Sequence, residues 1–278
     1  METKVIHELQ DMTHLDWRVS KGSPGTPGML LKAEDFIQGK HIFYKLSRYS
    51  ADTGIIGCES VNEYLADRIL SCAGIAHLNY QLIHAKIVIN DKEYITYLCA
   101  SEDFRRRNEI KIPFETYYEN SKNENESVIQ FCKRIGLADA LYEMLTADFL
   151  LMNRDRHGAN IEILENTESG ALRLAPLYDH GFSLLAAASE EKDVNAFDIT
   201  EERRVQSFVG HDTTVENLAF VPQEKLLALP KDVPWDALFS EIQFAAPDYW
   251  ICQTKKLAAY RWNKYEDLYC KRQNASKC

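Results

Sequence analysis

The chain contains no apolar run of the ~18–20 residues that a helix needs to cross a bilayer. Its first residues, 1–16, are charged and lack the apolar core of a secretory signal peptide. We therefore expect a cytoplasmic protein with no membrane span. Export as an effector, by a route that cleaves no signal, stays open.

Clustered positive charge is scarce as well. The sequence has 32 basic and 42 acidic residues, which gives a net charge of −10. A broad nucleic-acid surface needs clustered Lys and Arg to displace phosphate counterions. We therefore expect no direct nucleic-acid partner.

Paired cysteine motifs are missing too. The seven cysteines form no CxxC pair, which argues against a zinc site or a thioredoxin-like motif. An odd number of widely spread cysteines is typical of reduced thiols. The chain also has no internal repeat and no low-complexity tract, and its 278 residues are enough for two lobes or two small domains.

The most informative features present are two acidic segments 24 residues apart. The first, N-R-D-R-H-G-A-N at residues 153–160, places Asp155 five positions before Asn160, the D-x-x-x-x-N spacing of a kinase catalytic loop. The second, Y-D-H-G-F at residues 178–182, places Asp179 in an Asp-x-Gly metal-binding pattern. Each segment alone is equally typical of a polar turn. In this order they predict phosphoryl transfer, with Asp155 as base and with Asn160 and Asp179 as Mg²⁺ ligands.

A loop of small and polar residues precedes these segments. Residues 21–28 read K-G-S-P-G-T-P-G, and their two prolines prevent regular strand pairing. Backbone N–H groups of such a loop can surround phosphate oxygens. We expect ATP phosphates to bind at Ser23, Gly25, Thr26 and Gly28, although the pattern is not GxGxxG and a plain surface loop is the alternative.

A lysine and a glutamate follow in the order that a kinase requires. Lys45 lies in the strand-like stretch 41–46, and Glu63 follows 18 residues later on a predicted helix over 57–72. A strand lysine can contact the α- and β-phosphates, and a helix glutamate can position it. Lys32 and Lys40 are alternatives to Lys45, and Glu59 is the alternative to Glu63.

The coarse pattern of elements divides the chain into a strand-rich part, residues 1–102, and a mainly helical part, residues 103–278. The β-branched and aromatic stretches 82–89 and 94–99, separated by N-D-K-E at residues 90–93, predict a hairpin. Apolar periodicity predicts a helix over 137–152 that leads directly into the first acidic segment, and helices from residue 234 onward. A hairpin of strands 161–164 and 172–174 would bring Asn160 near Asp179. The charged stretch 189–211 lacks periodicity and is predicted to be an irregular surface segment.

Taken together, residues 41–46, 60–64, 153–160 and 174–179 resemble the HipA-like serine/threonine kinases. This bacterial family includes toxin kinases of toxin–antitoxin pairs. The resemblance, which spans roughly residues 20–185, implies an α+β, bilobal, protein-kinase-like fold with a strand-rich N-lobe and a mainly helical C-lobe. It also implies ATP and Mg²⁺ as cofactors and a protein substrate.

The same resemblance implies autophosphorylation of the Gly-rich loop, at Ser23 or Thr26, with Ser20 a weaker candidate. Only about 20 residues precede the loop in this sequence, so we expect a compact kinase core without the extra N-terminal subdomain that full-length toxin members use with their antitoxin. An antitoxin-type partner is therefore less expected, and toxin, effector and housekeeping roles stay open.

Two other functions compete with a protein kinase. Aminoglycoside and phosphoinositide kinases share the same base, Asn and Asp on a related core, so a small-molecule or lipid phosphotransferase is the first. A nucleotide-binding pseudokinase scaffold is the second. Its usual signature is loss of the base or of a metal ligand, and Asp155, Asn160 and Asp179 are all present.

Overall fold

The computed structural model describes residues 4–19, 30–186, 188 and 190–275. The strands are β1 (Val5–Asp11), β2 (Arg18–Val19), β3 (Leu31–Ile37), β4 (Lys40–Lys45), β5 (Tyr49–Ser50), β6 (Gly54–Ile55), β7 (Gln81–Ile89), β8 (Lys92–Glu102), β9 (Glu109–Pro113), β10 (Asp155–Arg156), β11 (Glu162–Asn166), β12 (Leu172–Leu174) and β13 (Gln206–Ser207). The helices are α1 (Glu59–Ala73), α2 (Phe114–Ser121), α3 (Val128–Arg134), α4 (Ala138–Leu151), α5 (Glu191–Asn195), α6 (Thr214–Leu218), α7 (Trp235–Ser240) and α8 (Asp248–Ala275). The predicted fold class is confirmed, because strands dominate the first part of the chain and helices the second.

A six-stranded sheet in the order β1-β7-β8-β4-β3-β2 forms the N-lobe. Alternate residues of β7 face opposite sides of this sheet, as a strand requires. Ile83 and Ala85 join a core on one side, and Leu82 joins the core that contains α1 on the other. Strand β7 therefore contributes buried residues to a core on each face of the sheet.

The predicted hairpin is present as β7 and β8. Asn90 and Asp91 form its two-residue turn, with φ of 50° and 60°. Positive φ at both positions is the type I′ geometry that matches the twist of the paired strands, and Asn and Asp tolerate it.

Helix α1 packs between the sheet and the C-lobe, and it is buried along almost its whole length. It ends where Gly74 adopts a left-handed conformation, φ 70°, so that its N–H can bond to carbonyl groups of the last turn. Arg68 Nη2 donates to Glu241 Oε1 at 2.8 Å, and Tyr64 Oη donates to Glu241 Oε2 at 2.5 Å. These contacts attach the helix to the C-lobe as well as to the sheet.

The C-lobe is built around α4 and α8. Phe149 of α4 stacks near Tyr265 of α8, and Trp250 and Trp262 of α8 are buried in the same core. The predicted strands at 161–164 and 172–174 are present as the antiparallel pair β11 and β12. None of the helices among the described residues is long and apolar enough to span a membrane.

Several elements differ from the sequence-based expectation. Strand β1 was not predicted, because it pairs in parallel with β7, whose partner residues lie 75 to 77 positions later in the chain. Strand β9, which joins the β11–β12 sheet, was also not predicted. The stretch 189–211, predicted to be irregular, contains the short helix α5 and the strand β13, which pairs with β10 beside the first acidic segment.

The division of the chain after residue 102 stays a prediction. Strand β8 ends at Glu102, and β9 pairs with β11 of the following part of the chain.

Candidate active site

A cleft of about 690 Å³ lies between the N-lobe sheet and the C-lobe. Side chains from both acidic segments line it, as do Lys45 and residues of β8 and β9. One part of its wall is mainly apolar and aromatic: Leu30, Phe43, Leu78, Tyr80, Phe104 and Tyr178. Apolar and aromatic walls with a few placed polar groups are typical of sites for small ligands such as nucleotides. Sequence reasoning did not find this wall, because its members come from separate strands and linkers.

Lys45, which lines this cleft, forms a buried ion pair with Glu63 beside it. Lys45 Nζ lies 2.5 Å from Glu63 Oε1 and 2.8 Å from Asp179 Oδ1. Burial lowers the pKa of Lys45, but Asp179 and Glu63 outweigh that effect and hold the pKa well above its usual value. Lys45 is therefore charged, and one of its three N–H groups has no partner among the described residues.

Glu63 also fixes the second acidic segment. Its other oxygen, Oε2, accepts a hydrogen bond from the backbone N–H of His180 at 2.9 Å. Asp179 adopts a left-handed backbone conformation, φ 61°, which Asp tolerates better than most residues. Helix α1, through Glu63, thus positions both Lys45 and the segment that carries Asp179, the candidate metal ligand.

The first acidic segment begins where α4 ends. Asn153 Nδ2 donates to Asp148 Oδ1 at 2.9 Å, and the N–H of Asp155 donates to Asn153 Oδ1 at 3.2 Å. Asn160 Nδ2 donates to the carbonyl oxygen of Asp155 at 2.9 Å. These bonds close the loop over itself, so that Asp155 and Asn160 both line the cleft.

Arg156 is a member of the site that sequence reasoning missed. It is buried and pairs with Asp148, with Nη2 to Oδ1 at 3.0 Å. Its Nη1 donates to the carbonyl oxygens of Asn160 and Tyr178 at 3.0 and 3.1 Å. The side chain therefore holds the two acidic segments together. The available signal was Asp148, a carboxylate on the apolar face of the predicted helix, which requires a buried cation.

His157 and His180 also went unassigned. His157 Nδ1 accepts a hydrogen bond from the N–H of Ala159, and its Nε2 lies 3.5 Å from Asp155 Oδ1. His180 is buried, and burial followed by the charge of Arg156 holds its pKa well below the usual value. His180 is therefore neutral, and its Nδ1 can accept a hydrogen bond from Arg156 at 3.3 Å.

Asp155 and Asp179, the carboxylates of the two acidic segments, have opposite pKa shifts. Burial raises the pKa of Asp155 above its usual value of 3.8. Burial also opposes ionisation of Asp179, but the charges of Lys45 and Lys32 and the hydrogen bond from Lys45 hold its pKa well below the usual value. Asp155 is thus the more basic group, and Asp179 is the more firmly ionised one.

The alternative residues occupy other positions. Lys32 lines the cleft but forms an ion pair with neither Asp155 nor Asp179. Lys40 forms an exposed ion pair with Glu102 at 2.7 Å. Glu59 is buried and pairs with Arg48, not with Lys45. The loop residues Ser20, Ser23, Gly25, Thr26 and Gly28 lie outside the described residues.

The donor set fits Mg²⁺. Asp179 Oδ2 and Asn160 Oδ1 accept no hydrogen bond from the described residues, and hard oxygen ligands of this kind suit Mg²⁺, which takes its remaining ligands from phosphates and water. No group of three or more His, Cys, Asp or Glu side chains suitable for a metal occurs in the described part of the chain.

Comparison with solved structures identifies the fold. Over 96% of this chain and 98% of the other, the structure is similar to the proinflammatory kinase CtkA of Helicobacter pylori, with a TM-score of 0.63 and 17% sequence identity. The chain has a kinase-like fold.

Two further structures align with lower scores. A chain of the Shewanella oneidensis MR-1 HipA–HipB toxin–antitoxin complex with operator DNA has a TM-score of 0.47 and 14% identity, over 92% of this chain and 68% of that one. Fam20 of hydra has a TM-score of 0.43 and 15% identity, over 94% and 87%. No family model matches the sequence, and the search of curated proteins gives no match. Membership of the HipA-like family therefore stays a prediction.

Proposed function

We propose that the protein is an ATP- and Mg²⁺-dependent phosphotransferase that modifies serine or threonine hydroxyls of a protein substrate. One observation carries this proposal. Lys45, Glu63, Asp155, Asn160 and Asp179, which are far apart in the sequence, meet in or beside one cleft. That set combines a phosphate-binding cation, its positioning carboxylate, a base and two oxygen ligands for a metal.

The residues suggest a division of roles. The unpartnered N–H of Lys45 would donate to a phosphate oxygen of ATP, while the apolar wall would hold the adenine. Bound Mg²⁺ would be held by Asn160 and Asp179 and would neutralise charge on the phosphates. Asp155 would orient the acceptor hydroxyl and take its proton, because burial makes its carboxylate the more basic one.

In the proposed reaction one phosphoryl group moves to the acceptor and one proton moves to the base. The acceptor oxygen forms a bond to the γ-phosphorus as the bond between that phosphorus and the β–γ bridging oxygen breaks. ADP leaves with the bonding electrons, and the hydroxyl proton goes to Asp155. Arg156 would touch neither ATP nor acceptor and would act by holding the two acidic segments in register.

A panel of acceptors tests the substrate class. Purified protein would be incubated with Mg²⁺ and γ-labelled ATP and, separately, with three kinds of acceptor. These are aminoglycosides, phosphoinositides, and the proteins of a cell lysate from which small molecules have been removed. Asp155→Asn is the matched control. We expect label on serine or threonine residues of lysate proteins with the wild type alone. Label on aminoglycosides or lipids only would refute the protein substrate but not the phosphotransferase.

The small-molecule alternative has one supporting observation. Glu102, Glu115 and Glu162 line the cleft in addition to Asp155 and Asp179. Carboxylates in such numbers would attract a cationic acceptor. The acceptor panel therefore includes aminoglycosides.

Autophosphorylation of the Gly-rich loop is the second part of the proposal. Ser23 and Thr26, and less strongly Ser20, are the predicted positions. Phosphosite mass spectrometry after incubation with Mg²⁺ and ATP tests this. Modification of none of the three, in protein that phosphorylates other acceptors, would refute it.

A further inference from the structure

A second cavity, of about 530 Å³, lies beside the cleft in the C-lobe. Arg154, Arg204, Ser207 and His211 contribute to its wall, and Gln206 lines both this cavity and the cleft. The roles proposed for the cleft use none of these residues.

Arg154 is the unusual member of this wall. Its Nε is buried without a hydrogen-bond partner, and no ion pair joins its side chain to any of the residues that the structure describes. Burial lowers the pKa of Arg154, and the nearby charge of Arg203 lowers it further. Arg154 is half-buried, and a partly buried guanidinium near a like charge is stabilised when an anion compensates it.

The arginines that are almost completely buried show the contrast. Arg156 pairs with Asp148 at 3.0 Å, Arg68 with Glu241 at 2.8 Å, and Arg261 with Glu202 at 2.6 Å. In the described part of the chain, Asp212 is the single carboxylate on the cavity wall, and it lies 3.5 Å from Arg204 rather than beside Arg154. The cavity thus carries an excess of positive charge.

Backbone hydrogen bonds join the chain segment that forms the wall of this cavity to the first acidic segment. The N–H of Gln206 donates to the carbonyl oxygen of Arg154, and the N–H of Phe208 donates to that of Arg156, both at 2.9 Å. The N–H of Val205 donates to the carbonyl oxygen of Asp212 at 2.8 Å and closes the loop that forms the wall. The position of Arg154 is therefore set by the fold and not by a flexible surface loop.

We propose that this cavity recognises a phosphate monoester, with Arg154 as the principal ligand. The planar guanidinium offers paired N–H donors that match phosphate oxygens, and Arg204 adds a second cation at the rim. Because Arg154 directly precedes Asp155 and Gln206 lines both cavities, an anion bound here would also stabilise the wall of the cleft. Anion binding itself does not depend on the proposed phosphotransferase activity.

Direct binding tests this proposal. Wild-type protein in phosphate-free buffer would be titrated by calorimetry with inorganic phosphate and with a phosphoserine peptide, beside its unphosphorylated form. We expect saturable binding of the phosphorylated ligands and a loss of about tenfold or more in Arg154→Gln, the effect of removing one charge-assisted contact. Arg107→Gln, an exposed arginine outside both cavities, should bind as the wild type does.

A second variant separates this cavity from the cleft. Lys45→Met should keep phosphate binding, because Lys45 belongs to the cleft alone. Binding that is lost in Lys45→Met and kept in Arg154→Gln would assign the anion to the cleft and overturn the proposal. Failure of the wild type to bind either phosphorylated ligand would overturn it as well.

Thermal unfolding provides the control for folding. In phosphate-free buffer, Arg154→Gln should unfold at the same or a higher temperature than the wild type, because it removes an unpaired charge. Added phosphate should raise the unfolding temperature of the wild type but not of the variant. An equal rise in both would contradict the proposal.

The phosphate group has two possible sources. If prior incubation with Mg²⁺ and ATP prevents peptide binding, a phosphorylated residue of this chain occupies the cavity. If binding survives that treatment, the cavity receives a phosphorylated partner. Either result supports the site and identifies its occupant.

Discussion

The role of Arg156 gives the sharpest structural prediction. Arg156 is 2% exposed, and its guanidinium contacts Asp148, two backbone carbonyl groups and His180. Arg156→Met roughly keeps the length of the side chain but removes the cation that pairs with the buried carboxylate of Asp148. Among the described residues, the amide of Asn153 is then the one side-chain donor left to that carboxylate. Loss of one partner of a buried pair destabilises a protein by about 3–5 kcal/mol.

That magnitude is a large part of a typical unfolding free energy of about 5–15 kcal/mol. Urea unfolding followed by tryptophan fluorescence measures it, and Trp250 and Trp262 are buried in the core beside α4. Arg105→Met is the matched control, because Arg105 is 42% exposed and its pair with Asp103 lies at the surface. We expect the control to change stability by less than about 1 kcal/mol.

A double variant checks the cause. If the penalty comes from the unpaired Asp148, then Asp148→Asn combined with Arg156→Met should be less destabilised than the sum of the two single variants, by about 0.5–3 kcal/mol. Additive effects would contradict the pairing argument. So would an Arg156→Met protein as stable as the Arg105→Met control.

Three further predictions concern the chemistry. Asp155→Asn should reduce turnover by about 10²–10⁴-fold while leaving ATP affinity, measured by calorimetry, nearly unchanged, because it removes the base and little else; turnover at the wild-type rate would refute the assignment. Because burial raises the pKa of Asp155 above 3.8, kcat/KM of the wild type should fall as the pH drops towards that raised pKa and protonates the base. A profile that stays flat down to pH 3.8 would contradict this. Glu63→Gln should lower kcat/KM by about ten- to a hundredfold, because it removes the charge that pairs with Lys45. The control variant Glu59→Gln alters a pair with Arg48 and should lower kcat/KM less. Equal losses in the two variants would count against the Lys45–Glu63 pair.

Short-range patterns accounted for much of the fold. The apolar periodicity of residues 137–152 predicted a helix that leads into the first acidic segment, and α4 ends at Leu151. Short strand-like stretches on either side of a polar turn predicted the β7–β8 hairpin and the β11–β12 pair, since each pattern lies within one local stretch. Motif spacing indicated the candidate site residues because the loops that carry them are short and follow regular elements.

Long-range pairing could not be predicted in the same way. Strand β1 depends on β7, and β13 depends on β10, so neither is specified by its own few residues. The partners of Arg154 and Arg156 posed the same difficulty, since one basic residue in a polar segment resembles another. Arg156 pairs with Asp148, whereas Arg154 has no such partner among the described residues and feels the charge of Arg203, and only the folded chain shows this difference.

Transfer of the γ-phosphoryl group of ATP tests the central claim most directly. Purified wild-type protein and Asp155→Asn would be incubated side by side with Mg²⁺, γ-labelled ATP and the lysate proteins, and the label would be followed into protein. The account predicts labelled protein with the wild type and none with the variant, although both bind ATP. Equal labelling by the two proteins would contradict Asp155 as the base, and no labelling by a wild type that binds ATP would contradict the proposed protein phosphotransferase.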